Sequence, residues 1–156
     1  MKKFLPSFAP GFAFVLVSVA SFAALAFAQK ENAKSARRVY EELAKAPEKA
    51  RGRVNPLAND PEAVAAGRLL FEDHCAECHG ENAEGGEPGA KRRGPSLRAP
   101  EVQNAADGAL FWVVTNGVVR KGMPVWSKLP EPQRWQLVRY IKSLGATQEK
   151  TATAAP

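Results

Sequence analysis

Both cysteines of this chain lie in the pentapeptide Cys75-Ala76-Glu77-Cys78-His79, which constrains the fold more than any other stretch. Two thiols three positions apart, followed at once by an imidazole, can hold one haem at three points. Each thiol can form a thioether with a haem vinyl group, and the histidine can ligate the iron. The motif therefore predicts one haem c, covalently bound through Cys75 and Cys78, with His79 as an iron ligand.

Other uses of the two thiols agree less well with the sequence. A C-x-x-C disulfide closes so short a loop that it would constrain little of the unfolded chain. A thioredoxin-like site needs a βαβ context, which the sequence does not indicate. An iron–sulfur cluster usually needs four thiolates. Zinc needs four tetrahedral ligands, and the only added candidate is His74, which is close to His79 in sequence. A simple disulfide and a zinc site remain the alternatives to haem.

The N-terminus has the pattern of a secretory signal peptide. Lys2 and Lys3 precede an apolar run over 12–27, and residues 26–28 read Ala-Phe-Ala. This pattern predicts cleavage after Ala28, which leaves 128 of the 156 residues. The alternative is an uncleaved transmembrane anchor, because the apolar run is close to the length that spans a bilayer. Either way the rest of the chain is expected in the periplasm, with membrane contact only if the segment is retained.

The charge is mildly basic. The 22 Lys and Arg exceed the 16 Asp and Glu, giving a formal net charge of +6 that falls to +4 without Lys2 and Lys3. Nucleic acid is an implausible partner for an exported chain without a long basic helix. We expect local basic residues to attract the acidic docking surface of a redox partner, although ordinary solvated loop charges are an equal alternative. The candidates are Lys91, Arg92, Arg93, Arg120, Lys121 and Lys128.

The chain after the signal divides into three parts. Residues 29–59 form an extension, helical over 29–46 and extended over 47–60, that acts as a tether or a strap lying on the domain. A docking helix for a partner subunit is the alternative. Residues 60–145 form the domain, and the polar tail 146–156 is predicted to be disordered.

The first domain helix begins at residues 60–62 (Asp-Pro-Glu), where Asp is a good N-cap and Pro suits the first helical position. It runs into Cys75 and so aims the haem-attachment turn. Gly67 on its apolar face indicates close approach of another helix. The predicted partner is the last helix, on which Leu137 and Tyr140 would meet Gly67.

Two further helices complete the predicted core. A short helix lies within 105–119 and ends at Asn116-Gly117, where glycine can take a left-handed conformation. The last helix begins at Glu131-Pro132 and is expected to be capped by Gly145.

The haem surroundings are predicted from the loop over 80–100, which is dense in Gly and Pro. Pro95 can direct its carbonyl toward the ring N–H of His79, and Leu97 would pack on the haem face. An ordinary surface turn is the alternative for this part of the loop. Trp112 can reach a haem propionate through its indole N–H, or it is a core or rim aromatic.

Met123 is the candidate second iron ligand. It is the only methionine of the mature chain, it follows Gly122 and precedes Pro124, and it lies 44 residues after His79. A thioether opposite histidine is a known axial ligand, whereas the alternative for a lone methionine is core filler. Trp126, three residues on, is a further candidate haem contact.

The region from about 60 to 145 resembles the class I monohaem c-type cytochromes, of the compact bacterial periplasmic kind with His/Met ligation. The resemblance implies an all-α cytochrome c fold, with three to four helices packed around one covalently bound haem and long Gly/Pro-rich loops. The matching positions are Gly67, Phe71, Cys75, Cys78, His79, Pro95, Leu97, Met123, Pro124, Leu137 and Tyr140.

The same resemblance implies a function. Such cytochromes are one-electron carriers, without catalytic residues, that act between a dehydrogenase or membrane complex and a terminal acceptor such as an oxidase. One alternative is a haem subunit of a larger oxidoreductase complex. Another is a haem enzyme or gas sensor with a labile sixth ligand.

Overall fold

The computed structural model describes Lys30, residues 40–86 and residues 93–153, with side chains as far as residue 145. The chain divides into two units, Met1–Arg38 and Val39–Pro156. Of the first unit only Lys30, an exposed helical residue, is described. The predicted signal peptide, most of the predicted 29–46 helix, Lys91, Arg92 and the end of the tail lie outside the described residues.

The second unit is helical in its described parts. Over residues 40–86 and 93–153 the only β-type pairing is an isolated bridge between Val118 and Met123, which confirms the all-α prediction. None of the helices in these ranges is long and apolar enough to cross a membrane. The helices are α1 Glu41–Ala44, α2 Glu48–Arg51, α3 Pro61–His74, α4 Ala76–His79, α5 Pro100–Gln103, α6 Asp107–Asn116 and α7 Glu131–Thr153, with a 3-10 turn at Val119–Lys121.

Helix α3 begins as the sequence predicts. The Asp60 side chain accepts a hydrogen bond from the Glu62 backbone N–H at 2.9 Å, and Pro61 occupies the first turn, where a missing N–H costs nothing. The helix ends at His74, so Cys75 follows directly. The prediction that this helix aims the Cys75 turn is confirmed.

Helices α3 and α7 cross at Gly67, which confirms the predicted pairing. A Cβ placed on Gly67 would lie 2.6 Å from the carbonyl carbon of Gln136 and 2.9 Å from Cβ of Tyr140, closer than real Cβ atoms approach other atoms. Next to this crossing the rings of Phe71 and Tyr140 lie 5.3 Å apart, and Leu137 is buried beside them. The absence of a side chain at Gly67 therefore sets the distance between the two helices.

Residues 40–57, here called the strap, pack onto a second core cluster centred on Phe111 and Trp135. Tyr40, Leu43 and Leu57 contribute partly buried side chains to this cluster. The prediction of an extended segment over 47–60 is wrong at α2, where one helical turn forms after Pro47. Pro47 ends the preceding pattern, but its fixed φ also suits the residue before a new helix.

The strap is fixed to α7 by a buried side chain, Asn55, which is 2% exposed. Its Nδ2 donates to the Trp135 carbonyl at 3.1 Å, and its Oδ1 accepts from the Leu57 N–H at 2.9 Å. A buried amide with both groups satisfied holds a segment in one register. The strap thus belongs to the same compact unit as the helices that follow it.

The sequence predicts the C-terminal end of α6 correctly but not that of α7. Helix α6 ends at Asn116, and Gly117 has a φ of 64°, as predicted. The prediction that Gly145 caps α7 is wrong, because the helix continues to Thr153 and includes most of the tail predicted to be disordered. Gly145 instead makes room for Gln103, since a Cβ there would lie 2.6 Å from Oε1 of that side chain.

Candidate functional site

The two cysteines and His79 lie on a single helical turn directly after α3. The Cys75 N–H donates to the Phe71 carbonyl at 2.8 Å, and the Cys75 carbonyl accepts from Cys78 and His79 at 3.1 and 3.0 Å. Both cysteines are free thiols and half-buried. The core helix therefore presents two thiols and an imidazole together, as the pentapeptide predicts.

The surroundings of Cys75 do not favour the alternative of disulfide chemistry. Burial, helped by the neighbouring Cys78, raises the pKa of the Cys75 thiol to about 12. Disulfide exchange uses the free thiolate, which this burial disfavours. In the part of the chain that the structure describes, no three His, Cys, Asp or Glu residues come together in a way that could hold a metal ion.

His79 is held in one orientation by the loop that follows it. The residue is 8% exposed, and its Nδ1 lies 2.8 Å from the Pro95 carbonyl oxygen. A carbonyl can only accept, so Nδ1 carries the proton and Nε2 keeps the lone pair that a metal needs. Burial lowers the pKa of His79, which keeps the ring neutral, while the bond to Pro95 opposes that shift. The predicted Pro95–His79 contact is present.

Gly94 completes the cradle of His79, and sequence reasoning did not single it out. A Cβ on Gly94 would lie 2.7 Å from both Cε1 and Nδ1 of His79, and 2.9 Å from Nε2. The Gly94 N–H donates to the Cys78 carbonyl at 2.7 Å, which fixes the loop against the motif. The available signal was a glycine directly before Pro95, the residue whose carbonyl was expected at the ring.

We expect Gly94→Ala to weaken the fixation of His79. The backbone of Gly94 has no positive φ, so the effect arises from the overlap with the ring rather than from backbone strain. Overlap of this kind costs about 1–3 kcal/mol, and the ring or the loop must move. The measurement is the axial-ligand spectrum and the denaturant midpoint of the haem-loaded protein, compared with Gly52→Ala.

Gly52 is a suitable control because a Cβ there meets only the Glu48 carbonyl, at an ordinary 3.6 Å. A Gly94→Ala protein with the spectrum and stability of Gly52→Ala would contradict the assigned role of Gly94.

Met123 lies at the end of a tight turn, here called the Met123 hairpin, over residues 118–123. The Val118 N–H donates to the Met123 carbonyl at 3.0 Å, and the Met123 N–H donates to the Val118 carbonyl at 3.2 Å. Gly122 has a φ of 89°, a left-handed conformation that side chains rarely adopt. The backbone of Met123 is thus fixed and its side chain half-buried, while iron ligation by its thioether stays a prediction.

The other predicted haem contacts are distributed around the core. Leu97 is partly buried between the two hydrophobic clusters. Trp126 packs on the Phe71 cluster, and its ring lies 5.1 Å from the ring of His74. Trp112 is half-buried on α6. Their contacts with haem stay predictions.

Residues 62–141, just over half of the chain, match the family model described as cytochrome c oxidase, cbb3-type, subunit III. The chain belongs to this family of c-type cytochromes. The cytochrome c fold and the resemblance to class I c-type cytochromes are confirmed.

The relatives of this cytochrome include subunits of oxidases. It is 35% identical over 96 residues to the Cbb3-type cytochrome c oxidase subunit CcoP of Azospirillum brasilense, covering 59% of this chain and 32% of that protein. For the CcoP subunit of Azospirillum sp. (strain B510), the identity is 37% over 97 residues, with the same coverage. The matched region thus spans about a third of the length of these relatives.

Among solved structures, cytochrome cL from Methylophaga aminisulfidivorans is 26% identical, with a TM-score of 0.47. The match covers 65% of this cytochrome and 71% of that chain.

Haem c is the cofactor that the family implies, and the residues of the site fit it. The donor set is a neutral imidazole with Nε2 available, next to two free thiols that can form thioethers. Gly94 leaves no space beside the ring of His79, so the imidazole cannot swing toward it. The residues that would hold haem are therefore Cys75, Cys78 and His79.

The basic residues that were predicted to attract a redox partner do not form a uniformly basic surface. Of the six predicted basic candidates, four are described, and all are exposed. Arg120 lies 3.5 Å from Glu42, and Lys121 lies 3.1 Å from Glu41, so two of the four are paired with carboxylates of the strap. Arg93 and Lys128 are the other two. A docking surface for an acidic partner stays a prediction.

Proposed function

We propose that this cytochrome is a one-electron carrier whose single haem c is attached through Cys75 and Cys78 and ligated by His79 and Met123. The hydrogen bond from His79 Nδ1 to the Pro95 carbonyl carries the proposal, because it leaves Nε2 as the ligating atom. The family membership of residues 62–141 supports the cofactor.

Each residue has a distinct part in electron transfer. When bound, haem supplies one-electron chemistry through its iron. Burial keeps His79 neutral, and the Pro95 carbonyl holds its ring in one orientation, so the ligand need not rearrange when the charge changes. Met123 would supply a thioether as the second iron ligand, which favours a higher reduction potential. Two fixed ligands leave no position for a substrate, so the protein is proposed to be a carrier rather than an enzyme.

The proposed setting is the periplasm, after cleavage of the signal peptide behind Ala28. There the cytochrome would pass electrons from a dehydrogenase or membrane complex to a terminal acceptor of the respiratory chain. A second candidate is a haem subunit of a larger oxidoreductase complex. The relatives favour it, since both are named as CcoP subunits of cbb3-type oxidases.

The intact mass of the purified protein tests attachment and export together. Produced in a bacterium with cytochrome c maturation, the protein is expected to begin at Gln29 and to carry the added mass of one haem. The control is the double variant Cys75→Ala/Cys78→Ala, which is expected to lose the covalently bound haem. A mass that includes residues 1–28, or haem that acid extraction removes from the unaltered protein, would contradict the corresponding part of the proposal.

A further inference from the structure

The strap reaches the Met123 hairpin through two carboxylates, Glu41 and Glu42, here called the carboxylate pair. Glu41 Oε1 lies 3.1 Å from Lys121 Nζ. Glu42 Oε1 lies 3.5 Å from Arg120 Nη2 and 4.0 Å from Lys121 Nζ. The strap lies outside the region 62–141 that matches the family model, so the family does not account for these contacts.

Both cations lie at the tip of the hairpin that ends in Met123. Arg120 and Lys121 belong to the 3-10 turn Val119–Lys121, and the Val118–Met123 bridge closes the turn. Arg120 and Lys121 lie only three and two residues before Met123. A contact that holds these two cations therefore also restrains the backbone of the methionine.

The carboxylate pair is part of an anchored segment. The side chain of Glu42 is only 14% exposed, and it also binds Lys45 at 2.8 Å. Directly before the pair, the Tyr40 hydroxyl donates to the Ser96 carbonyl at 2.8 Å. Ser96 follows Pro95, whose carbonyl binds His79. The start of the strap therefore contacts both the loop that holds His79 and the hairpin that ends in Met123. An anchored carboxylate loses less side-chain entropy in a pair than a free one does.

We propose that Glu41 and Glu42 are positioning residues that hold the Met123 hairpin closed and so slow the entry of external ligands at the sixth iron position. The inference rests on the proposed His79/Met123 ligation. In the unaltered protein an external ligand enters only after the hairpin moves Met123 away. Each ion pair with the strap adds to the free energy of that opening.

The test is the rate at which the oxidised, haem-loaded protein binds imidazole, followed by stopped-flow absorption. The double variant Glu41→Gln/Glu42→Gln is expected to bind imidazole about two- to five-fold faster, as expected for the loss of exposed ion pairs. Added salt should raise the rate of the unaltered protein toward that of the variant, because salt screens exposed charges. The rates are measured at about pH 8.5, above the range in which an imidazole ring titrates, so the added imidazole is uncharged and its own encounter with the protein depends little on salt.

Two further variants make the result specific. Glu48→Gln removes one charge from the same strap and is expected to leave the rate unchanged. Lys121→Gln is expected to accelerate binding, and adding it to Glu41→Gln/Glu42→Gln should give less than the sum of the separate effects, since the groups act as pairs. Additive effects, or a double variant with the rate of Glu48→Gln, would overturn the proposal.

Failure of the underlying ligation gives a different result. If Met123 ligates the iron, the oxidised, unaltered protein shows the long-wavelength band of iron–thioether ligation, and imidazole abolishes this band as it binds. A protein without this band would contradict Met123 ligation itself. A protein that has the band but binds imidazole at the same rate in all variants would contradict only the role of the carboxylate pair.

Discussion

Replacement of Gly67 by alanine is expected to lower the free energy of unfolding by about 3 kcal/mol, at the upper end of typical overpacking costs. The new methyl would lie 2.6 Å from the carbonyl carbon of Gln136 and 2.9 Å from Cβ of Tyr140. The first neighbour is helix backbone, so α3 and α7 must separate for the methyl to fit. Alanine also favours the helix by about 1 kcal/mol, which offsets only part of the overlap. The measurement is chemical unfolding of the haem-loaded protein.

Gly52→Ala is the matched control for this prediction. It makes the same chemical change at an exposed position with an ordinary backbone conformation, and its new Cβ has only one neighbour, at 3.6 Å. We expect it to be neutral or slightly stabilising. Equal stability of the Gly67→Ala and Gly52→Ala proteins would contradict the close crossing of α3 and α7.

Replacement of Met123 by alanine is expected to have the largest effect on function. It would remove the thioether opposite His79 and leave a position at which the reduced protein binds carbon monoxide. The reduction potential should fall by on the order of 0.2 V, a part of the range of about 0.8 V that axial ligands cover. The potential falls because methionine favours the reduced iron, and carbon monoxide binds because the thioether no longer occupies the ligand position. They are measured by redox titration and by absorption spectra under carbon monoxide.

Val125→Ala is the control for Met123→Ala. Val125 lies two residues further along the same loop, with 48% of its surface exposed. Its loss should leave both the potential and the carbon monoxide response unchanged. If Met123→Ala behaves like Val125→Ala, Met123 is not a ligand and the electron-carrier proposal loses its second axial group.

The sequence predicted those parts of the fold that depend on local chemistry or on one helix face. Residues 60–62 form an N-cap because an Asp carboxylate and a Pro ring act on their immediate neighbours. Gly67 indicated a helix crossing because a glycine on an apolar stripe has few other uses. The Pro95 carbonyl was assigned correctly to His79 because the motif already fixed the imidazole and its need for an acceptor.

The features that sequence reasoning missed depend on contacts between distant segments. Glycine is the residue type that most often caps a helix, which is why Gly145 was predicted to end α7. In the structure the Gln103 side chain lies against Gly145, so this glycine allows close packing instead. Gly94 borders His79 only once the loop has folded back onto Cys78. The sequence predicted a tether or a strap lying on the domain, but it did not predict the anchor of the strap, because the partner of Asn55 is the Trp135 carbonyl, 80 residues away along the chain. No local pattern contains such pairings.

The most direct test of the proposed His/Met centre is the absorption spectrum of the reduced, untreated protein before and after carbon monoxide is added. With His79 and Met123 both bound, the spectrum is expected to stay unchanged, and the oxidised protein should show the long-wavelength band of iron–thioether ligation. Met123→Ala, examined in parallel, should respond to carbon monoxide at once. Rapid binding of carbon monoxide by the unaltered protein would show an open iron position and would contradict the account of this cytochrome as an electron carrier.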